Sequence, residues 1–184
     1  MNSPLSFSVA VLLVCPYSIA ALLVCPHSIA VLSTEACESD FHARFDAKAR
    51  TYHYLIHFEK DPFKQGKSYR MFKRPDLALM NECAQILLEY DDFASFCKAG
   101  ADNKTTLCSL SQAKWLDKGD HWVFVIRADR FLRNMVRAIV GTMLEVGLGK
   151  RKLEDFRDIV EAKDRTSSGK SAAACGLYLA KIEY

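Results

Sequence analysis

The sequence predicts an α+β domain in which helices pack on one side of a mostly antiparallel sheet. Strand-like alternation appears in four segments, two of them joined by a short turn, and helix-like spacing of apolar residues appears in three others. The segments follow the order strand, helix, hairpin, helix, helix, strand, so the strands can pair directly while the helices share one face. With 184 residues, 50% of them hydrophobic, the chain is large enough to bury one core.

The first part of this domain is expected to contain one strand and one helix. Ala49 to Phe58 alternates in polarity and is rich in aromatic and β-branched residues, which favours a strand. A basic loop follows from Asp61 to Arg74, and Pro75-Asp76 then begins a helix. The apolar residues of this helix recur at three- and four-residue steps: Leu79, Met80, Cys83, Ile86, Leu87 and Tyr90.

A hairpin is expected in the middle of the chain. Leu107 to Leu116 and His121 to Ala128 both have strand character, and Asp117-Lys118-Gly119-Asp120 between them is typical of a tight turn. Alternate residues of a strand share a face. One face of the second strand is entirely apolar and should enter the core: Trp122, Phe124 and Ile126.

Two helices and a strand are expected to complete the fold. Arg130 to Val146 is the longest helix candidate, and Gly147 and Gly149 are typical of a helix end. A shorter amphipathic helix follows, and a loop and a terminal strand from Gly176 to Tyr184 end the chain. The apolar residues of the shorter helix are Leu153, Phe156, Ile159 and Val160.

The charges are unevenly distributed, although the formal net charge is only +3. Between Asp40 and Pro75 there are nine Lys or Arg and four Asp or Glu, an excess of five positive charges. Between Asp76 and Phe93 there are five acids and no Lys or Arg. This division predicts one basic face and one acidic helix, which suits the steering of a polyanion to one side of the protein. A surface that is merely segregated by charge explains the counts equally well.

The cysteines and histidines do not indicate a metal site. The seven cysteines form no C-x-x-C pair, which argues against zinc and against a complete disulfide framework. Cys83 and Cys97 are expected to be small buried hydrophobes, with reduced thiols in a cytoplasmic protein. His53 and His57 point the same way on the predicted strand, but no carboxylate or cysteine completes a ligand set. We expect no metal.

The first 33 residues differ from the rest of the chain. They contain no charged residue, and Val11 to Ala20 is repeated almost unchanged in Ala21 to Ala30. The basic start of a signal peptide is missing, and Pro16 and Pro26 interrupt the apolar run that a membrane helix would need. We therefore expect residues 1–33 to be an anomalous duplicated segment and residues 34–184 to form the domain. Membrane attachment through this segment remains an alternative.

The stretch from Asp40 to Tyr54 combines positive charge with aromatic rings. Arg44, Lys48 and Arg50 come directly before an alternating strand that contains Tyr52. Cations neutralise phosphates, and an aromatic face offers a stacking surface for an unpaired base. The stretch therefore provides the two components of an RNA-binding surface. An ordinary basic loop before a half-buried strand is the alternative.

A row of arginines lies on the longest helix candidate. Arg130, Arg133 and Arg137 are spaced i, i+3 and i+7, which places them on one side of a continuous helix. Guanidinium groups held on a packed helix can bind phosphate or carboxylate through two parallel hydrogen bonds. A solvated basic helix face is the alternative interpretation.

Several ordered motifs resemble one known family. The first is Phe41-His42-Ala43-Arg44-Phe45 followed by Ala49-Arg50-Thr51-Tyr52-His53-Tyr54. Later blocks are Asp92-Phe93-Ala94-Ser95-Phe96, Phe131-Leu132-Arg133-Asn134-Met135-Val136-Arg137, Lys163-Asp164-Arg165 and Gly176-Leu177-Tyr178-Leu179. Over about residues 28 to 184, these blocks resemble the second half of the tRNA pseudouridine synthase A family.

The resemblance implies a fold, a reaction and a set of partners. The fold would be the C-terminal half of a pseudouridine synthase. The reaction would be isomerisation of uridine to pseudouridine in the tRNA anticodon stem-loop, with no cofactor and no metal. Relatives act as homodimers in the cytoplasm, and we expect the same here.

The resemblance also implies roles for particular residues. Tyr52 matches the tyrosine that contacts the target uridine, and Arg137 matches the arginine that pairs with the nucleophilic aspartate. Leu177, with Tyr178, resembles the apolar lining of the same pocket. We expect a further set of cations to hold the tRNA backbone: Arg44, Lys48, Arg50, Lys64, Lys67, Arg130 and Arg133.

One motif of the family is missing from these residues. Members carry Gly-Arg-Thr-Asp-Ala-Gly in their first half, and its aspartate is the catalytic nucleophile. No Thr-Asp pair occurs in the 184 residues. We therefore expect the chain to be a truncated enzyme, inactive by itself. A non-catalytic RNA-binding module is the alternative, and a membrane-attached protein is the second alternative.

Overall fold

The computed structural model describes residues 29–33, 35–98, 100 and 104–184. The described residues form five strands: β1 Ala49–His57, β2 Tyr69–Arg70, β3 Leu110–Asp117, β4 His121–Ala128 and β5 Leu177–Glu183. They form three α-helices: α1 Leu77–Leu87, α2 Met135–Gly147 and α3 Leu153–Ala162. The predicted α+β class and order of elements are confirmed, and β2 is an addition. Residues 1–28, which make up most of the predicted anomalous segment, lie outside the described residues.

Strand β1 is the centre of the sheet. It pairs antiparallel with β4 over its whole length and antiparallel with β5 on its other side. Strand β3 pairs antiparallel with β4, so the order across the sheet is β3-β4-β1-β5. The short β2 lies parallel to the end of β1, opposite Ile56 and His57. The expectation of a mostly antiparallel sheet is therefore confirmed, with β2 as the exception.

The helices cover one face of this sheet. Tyr54 and Ile56 of β1 and the three predicted core residues of β4 are buried in one apolar cluster with residues from all three helices. The opposite face carries a smaller buried cluster of Leu55, Val123 and Val125. Side chains alternate between faces along each strand, so the sequence alternation decides which residues meet the helices.

Helix α1 begins as predicted and ends earlier than predicted. The Asp76 carboxylate accepts hydrogen bonds from the backbone amides of Ala78 and Leu79, at 2.8 and 3.1 Å, which caps the helix. The helix ends at Leu87, so Tyr90 lies beyond it. Tyr90 instead donates a hydrogen bond to Glu161 of α3 at 2.6 Å. Cys83 is fully buried, as predicted.

Helix α2 begins at Met135, so the predicted helix start at Arg130 is wrong. Asn134 has a left-handed backbone conformation (φ 68°), which interrupts any helix running through it. Before it, the Asp129 carboxylate accepts hydrogen bonds from the backbone amides of Ser109 and Arg130, at 2.8 and 2.7 Å. These contacts tie the segment to the end of the sheet.

A smaller correction concerns Cys97, which is half-buried rather than fully buried. Strand β3 also begins three residues later than predicted, at Leu110. None of the helices among the described residues has the length and hydropathy needed to cross a bilayer.

Candidate functional site

A cleft of about 590 Å³ opens beside the start of β1. It is formed by the loop before β1, the first residues of β1 and the segment between β4 and α2. The structure brings five of the predicted site residues to this cleft: Arg44, Lys48, Arg50, Tyr52 and Arg130. They come from two segments about 80 residues apart in sequence. The pairing of β1 with β4 brings these two segments together.

Tyr52 forms part of the cleft wall. Its side chain is half-buried and faces the helix side of β1. Its ring meets the Phe131 ring edge-on, with 5.0 Å between the ring centres and 82° between the planes. Burial raises the pKa of the Tyr52 hydroxyl, and the nearby positive charge of Arg50 lowers it in part. The phenol is therefore neutral at pH 7 and available as a hydrogen-bond donor.

Arg50 braces the mouth of the cleft. Its guanidinium donates to the backbone oxygen of Asp129 at 2.9 Å and to those of Ala47 and Arg44. These bonds fasten the loop before β1 to the segment after β4. Arg50 is thus largely used in holding the cleft together, although its charge remains in it.

The other cations of the cleft are more accessible. The side chains of Arg44 and Lys48 are exposed, and within the described part of the chain neither forms a salt bridge. The carboxylate of Asp129, the acid that lines the cleft, is occupied by two backbone amides. With Arg50 and Arg130, the cleft wall carries four positive charges against one negative charge.

Arg137 is held on α2 against the loop before β5. Its Nε donates to the backbone oxygen of Ala172 at 2.7 Å, and the amide of Ala172 donates back to the Arg137 oxygen at 2.9 Å. The next residue, Ala173, accepts a 2.7 Å hydrogen bond from the hydroxyl of Tyr54. Asn134 donates to Ser171 in the same loop at 2.7 Å. These bonds fix the direction of the Arg137 guanidinium.

Tyr54 is a neighbour of the residues that are predicted to form the wall of the active site. Burial raises the pKa of its hydroxyl. The Tyr54 hydroxyl and the Arg137 Nε donate to the adjacent backbone oxygens of Ala173 and Ala172, so both side chains end at the same stretch of the loop before β5. Leu177 lies opposite Tyr54 across the β1–β5 pair. Tyr52 is two residues away on the same face of β1, a separation of roughly 7 Å. Tyr52, Arg137 and Leu177 are therefore grouped around Tyr54, and each is half-exposed. Of the three, Tyr52 lines the cleft, whereas Arg137 and Leu177 are not among its lining residues.

The sequence did not single out Tyr54 or Phe131, although both position site residues. Tyr54 could have been found from its place two residues after Tyr52, since such residues share a face. Gly176, next to Leu177, is also required: an added Cβ would lie 2.7 Å from the Leu55 oxygen and 2.9 Å from the Tyr54 ring. No local pattern signals this close approach.

Tyr178 does not share the pocket of Leu177, so that expectation is wrong. Adjacent residues of a strand point to opposite faces. Tyr178 lies opposite His53 and packs against the cluster on the other face of the sheet. Its hydroxyl donates to the backbone oxygen of Lys67.

The remaining predicted cations lie away from the cleft. Lys64 and Lys67 follow the far end of β1, where the Lys64 ammonium binds Asp120 at 2.7 Å and approaches Asp61 at 3.6 Å. The charge of Lys64 is therefore largely used in local ion pairs. Arg133 is exposed in the turn before α2, not on a helix. The predicted ridge of three arginines on one helix is wrong, because of the three only Arg137 belongs to α2.

The histidines form local contacts. His42 accepts from the backbone amides of Arg44 and Phe45 through Nδ1, which shapes the loop before β1. His57 is buried and its Nδ1 lies 2.6 Å from the Ser68 hydroxyl. Across residues 29–33, 35–98, 100 and 104–184, no three His, Cys, Asp or Glu side chains are grouped as metal ligands.

The cleft combines cations with aromatic rings, the two kinds of group that nucleic-acid-binding surfaces use. The family profile described as tRNA pseudouridine synthase matches residues 84–184, more than half of the chain. The chain therefore belongs to the tRNA pseudouridine synthase family.

Individual relatives agree with this assignment. The chain is 50% identical over 149 residues to tRNA pseudouridine synthase A of Porphyromonas gingivalis, covering 80% of this chain and 59% of that protein. It is 52% identical over 148 residues to the protein of the same name from Bacteroides thetaiotaomicron, covering 79% and 55%. For the Bacillus subtilis protein of that name the identity is 37% over 156 residues, covering 84% and 63%. The chain thus spans between 55% and 63% of the length of these curated relatives.

Proposed function

We propose that this chain provides the RNA-binding surface and one wall of the active site of a tRNA pseudouridine synthase, which converts uridine to pseudouridine in the anticodon stem-loop. The observation that carries the proposal is the grouping of Tyr52, Arg137 and Leu177 around Tyr54, beside a basic cleft. The name shared by its relatives supports the reaction.

The proposed roles follow from the chemistry of the reaction. Isomerisation breaks the bond from the ribose C1′ to N1 of uracil, which keeps the electron pair, and forms a bond from C1′ to C5. C5 then releases its proton and N1 takes one up. The base must leave its stack to be reached, and the Tyr52 ring replaces part of the lost stacking. Arg137 places a fixed cation near the detached base and its nucleophile, and Leu177 helps to keep that region dry.

The backbone of the tRNA is proposed to lie over the cleft. Arg44, Lys48 and Arg130 contact phosphates there, and Arg50 holds the loop that carries the first two. Arg133 extends this contact outside the cleft, and Lys67 contacts a separate part of the tRNA backbone. Lys64 contributes least, since it is already paired with Asp120.

The wider organisation is proposed from the same family. Residues 34–184 form the C-terminal domain of the synthase fold, and residues 1–33 are not part of it. The protein acts in the cytoplasm as a homodimer on tRNA, without a cofactor.

A polypeptide of these 184 residues is proposed to bind tRNA without turning it over, because it contains no Thr-Asp pair to supply the nucleophile. Release of tritium from tRNA labelled at C5 of uridine measures turnover, and we expect none above background. Robust release that is abolished by Tyr52→Ala would contradict the proposed inactivity.

Binding to the cleft is tested in the same preparation. The double variant Arg44→Gln/Lys48→Gln should bind an unmodified tRNA transcript more weakly and should reduce the salt slope of binding by roughly 2, or about 0.9 for each phosphate contact. A matched control is Lys114→Gln/Lys118→Gln, which removes two exposed lysines of the β3–β4 hairpin. Equal salt slopes for the two double variants would overturn the proposed cleft contact, whether or not tritium is released.

A further inference from the structure

The segment from Lys60 to Arg74 carries the two most exposed aromatic rings among the described residues. Phe63 is 85% exposed and Phe72 is 87% exposed. Both rings lie beyond the far end of β1, away from the cleft. None of the predicted roles involves them.

Both rings are held in place by the backbone around them. Phe63 lies in a short 3-10 turn, Pro62–Lys64, and its amide donates to the Asp61 carboxylate at 2.9 Å. Phe72 follows β2, where Met71 between it and Arg70 is buried and its amide donates to the His57 oxygen at 2.8 Å. Phe72 follows this anchored residue in a bend and is exposed. Both rings are therefore carried by backbone that is hydrogen-bonded to the rest of the domain.

Positive charge surrounds the rings. From Lys60 to Arg74 there are six Lys or Arg and one acid, Asp61, an excess of five. Lys64 is paired with Asp120, but in the described part of the chain none of the three exposed lysines of the segment forms a salt bridge; they are Lys60, Lys67 and Lys73. The Arg70 guanidinium lies 4.9 Å from the centre of the Phe72 ring.

This combination indicates the chemistry of the partner. The centre of a protein–protein contact is depleted in charged residues, whereas each of these rings has a cation within two positions in sequence. A partner that covers the rings must also neutralise the lysines. Unpaired nucleotides do both, because a base stacks on a ring while its phosphate binds an ammonium group.

The segment is a second contact and not an extension of the cleft. The last residue of β1 that lines the cleft is Tyr52, and the five further residues to the end of the strand span on the order of 17 Å. One RNA molecule must therefore be long enough to reach both, or the two regions bind different parts of it.

We propose that Lys60 to Arg74 is an RNA-binding site for unpaired nucleotides, in which Phe63 and Phe72 stack on bases and Lys60, Lys67 and Lys73 bind phosphates. The proposal rests on the proposed function in that the physiological RNA is the tRNA substrate. It uses none of the residues of the cleft wall.

The test measures the binding of a fluorescent, unstructured 12-nucleotide RNA by the whole chain. Phe63→Ala/Phe72→Ala should weaken binding by roughly 25-fold or more, since each of the two stacked bases lost costs at least about five-fold in alanine substitutions. The matched control is Leu107→Ala, which removes an apolar side chain that is 50% exposed near the opposite edge of the sheet. The Leu107→Ala variant should bind the RNA with an affinity within about two-fold of that of the unchanged chain, because it removes no stacking ring. Unchanged thermal unfolding of the double variant confirms that only the surface has changed.

A second variant tests the lysines independently of the rings. Replacing Lys60, Lys67 and Lys73 with Gln should reduce the salt slope of binding by roughly 2, at about 0.7 for each phosphate of a single strand. The Lys114→Gln/Lys118→Gln control should leave the slope unchanged.

Three results would overturn the proposal. The first is that the double Phe variant binds RNA as well as the Leu107→Ala control. The second is that only binding to anionic phosphatidylserine vesicles is lost, which identifies a membrane contact. The third is that only self-association in sedimentation is lost, which identifies a protein contact. The cleft variant Arg44→Gln/Lys48→Gln in the same assay separates the two sites. If the cleft variant weakens RNA binding and the double Phe variant does not, the proposed site at Lys60 to Arg74 is excluded and the cleft is not. If the double Phe variant weakens RNA binding and the cleft variant does not, the cleft contact is excluded and the site at Lys60 to Arg74 is not.

Discussion

The helix residue Gly141 offers a sharp test of how the site is assembled. A Cβ at this position would overlap the backbone oxygen of Lys170 and would lie 3.0 Å from its carbonyl carbon and 3.1 Å from the amide of Ala172. The neighbour is backbone and not the end of a flexible side chain. Gly141→Ala must therefore push the loop before β5 away from α2, by roughly 1.5 Å to restore a contact distance of about 3.5 Å.

The expected loss follows from the hydrogen bonds that this loop makes. Three of the bonds that join it to the rest of the site are counted: Gly169 to Thr142 at 3.0 Å, Arg137 to Ala172 at 2.7 Å, and Tyr54 to Ala173 at 2.7 Å. A shift of about 1.5 Å takes such a bond beyond its working range. At about 1 kcal/mol each, the loss is about 3 kcal/mol. Alanine in place of glycine returns about 1 kcal/mol of helix propensity, so the net destabilisation is about 2 kcal/mol.

Urea unfolding followed by circular dichroism measures this change. Lys170→Ala is the matched control, because it removes an exposed side chain and leaves the Lys170 backbone carbonyl in place. Its free energy of unfolding should be close to that of the unchanged chain. Gly141→Ala should also weaken tRNA binding, since Arg137 loses the Ala172 oxygen that orients it. A Gly141→Ala protein that is as stable as the unchanged chain would refute the reasoning.

Two further predictions concern the cleft and the sheet edge. Tyr52→Ala should weaken tRNA binding by roughly ten-fold, the lower end of the cost of one stacked base, whereas Tyr52→Phe should keep most of the affinity; equal losses would show that the hydroxyl and not the ring is needed. Bonds from Arg127 and Lys181 lower the pKa of Glu183 to about 2, below the value of about 4.3 expected when unfolded. A lowered carboxyl pKa gives stability that is present above about pH 4 and is lost as the pH falls towards 2. Glu183→Gln should therefore lower the free energy of unfolding at pH 7 and make its decline between pH 4 and 2 less steep. Urea unfolding at several pH values measures both effects. A decline as steep as in the unchanged chain would contradict the lowered pKa of Glu183.

The sheet and its core face could be predicted because each rests on a local pattern. Alternation along Ala49 to Phe58 reports which side chains point the same way, and the same rule placed Phe124 in the core. Tyr52 was recognisable for the same reason, as an aromatic residue of that strand preceded by cations.

The arginine row shows where local pattern fails. The spacing of Arg130, Arg133 and Arg137 is helical, but spacing has meaning only if the backbone is helical throughout. The left-handed Asn134 and the capping of Arg130 by Asp129 exclude this, and both depend on how β4 meets α2. Lys64 is a similar case, since its partner Asp120 is 56 residues away and no local pattern indicates the pair.

The sequence by itself determined which segments are strands and helices and which of their faces are apolar, because these follow from the direction of successive side chains. Only the tertiary structure decided that Tyr54 would join Tyr52, Arg137 and Leu177, and that Arg50 would be used to brace the cleft. Such contacts depend on the distance between segments that are far apart along the chain. That distance is set by the packing of the sheet, the helices and the loops together, and not by any one segment.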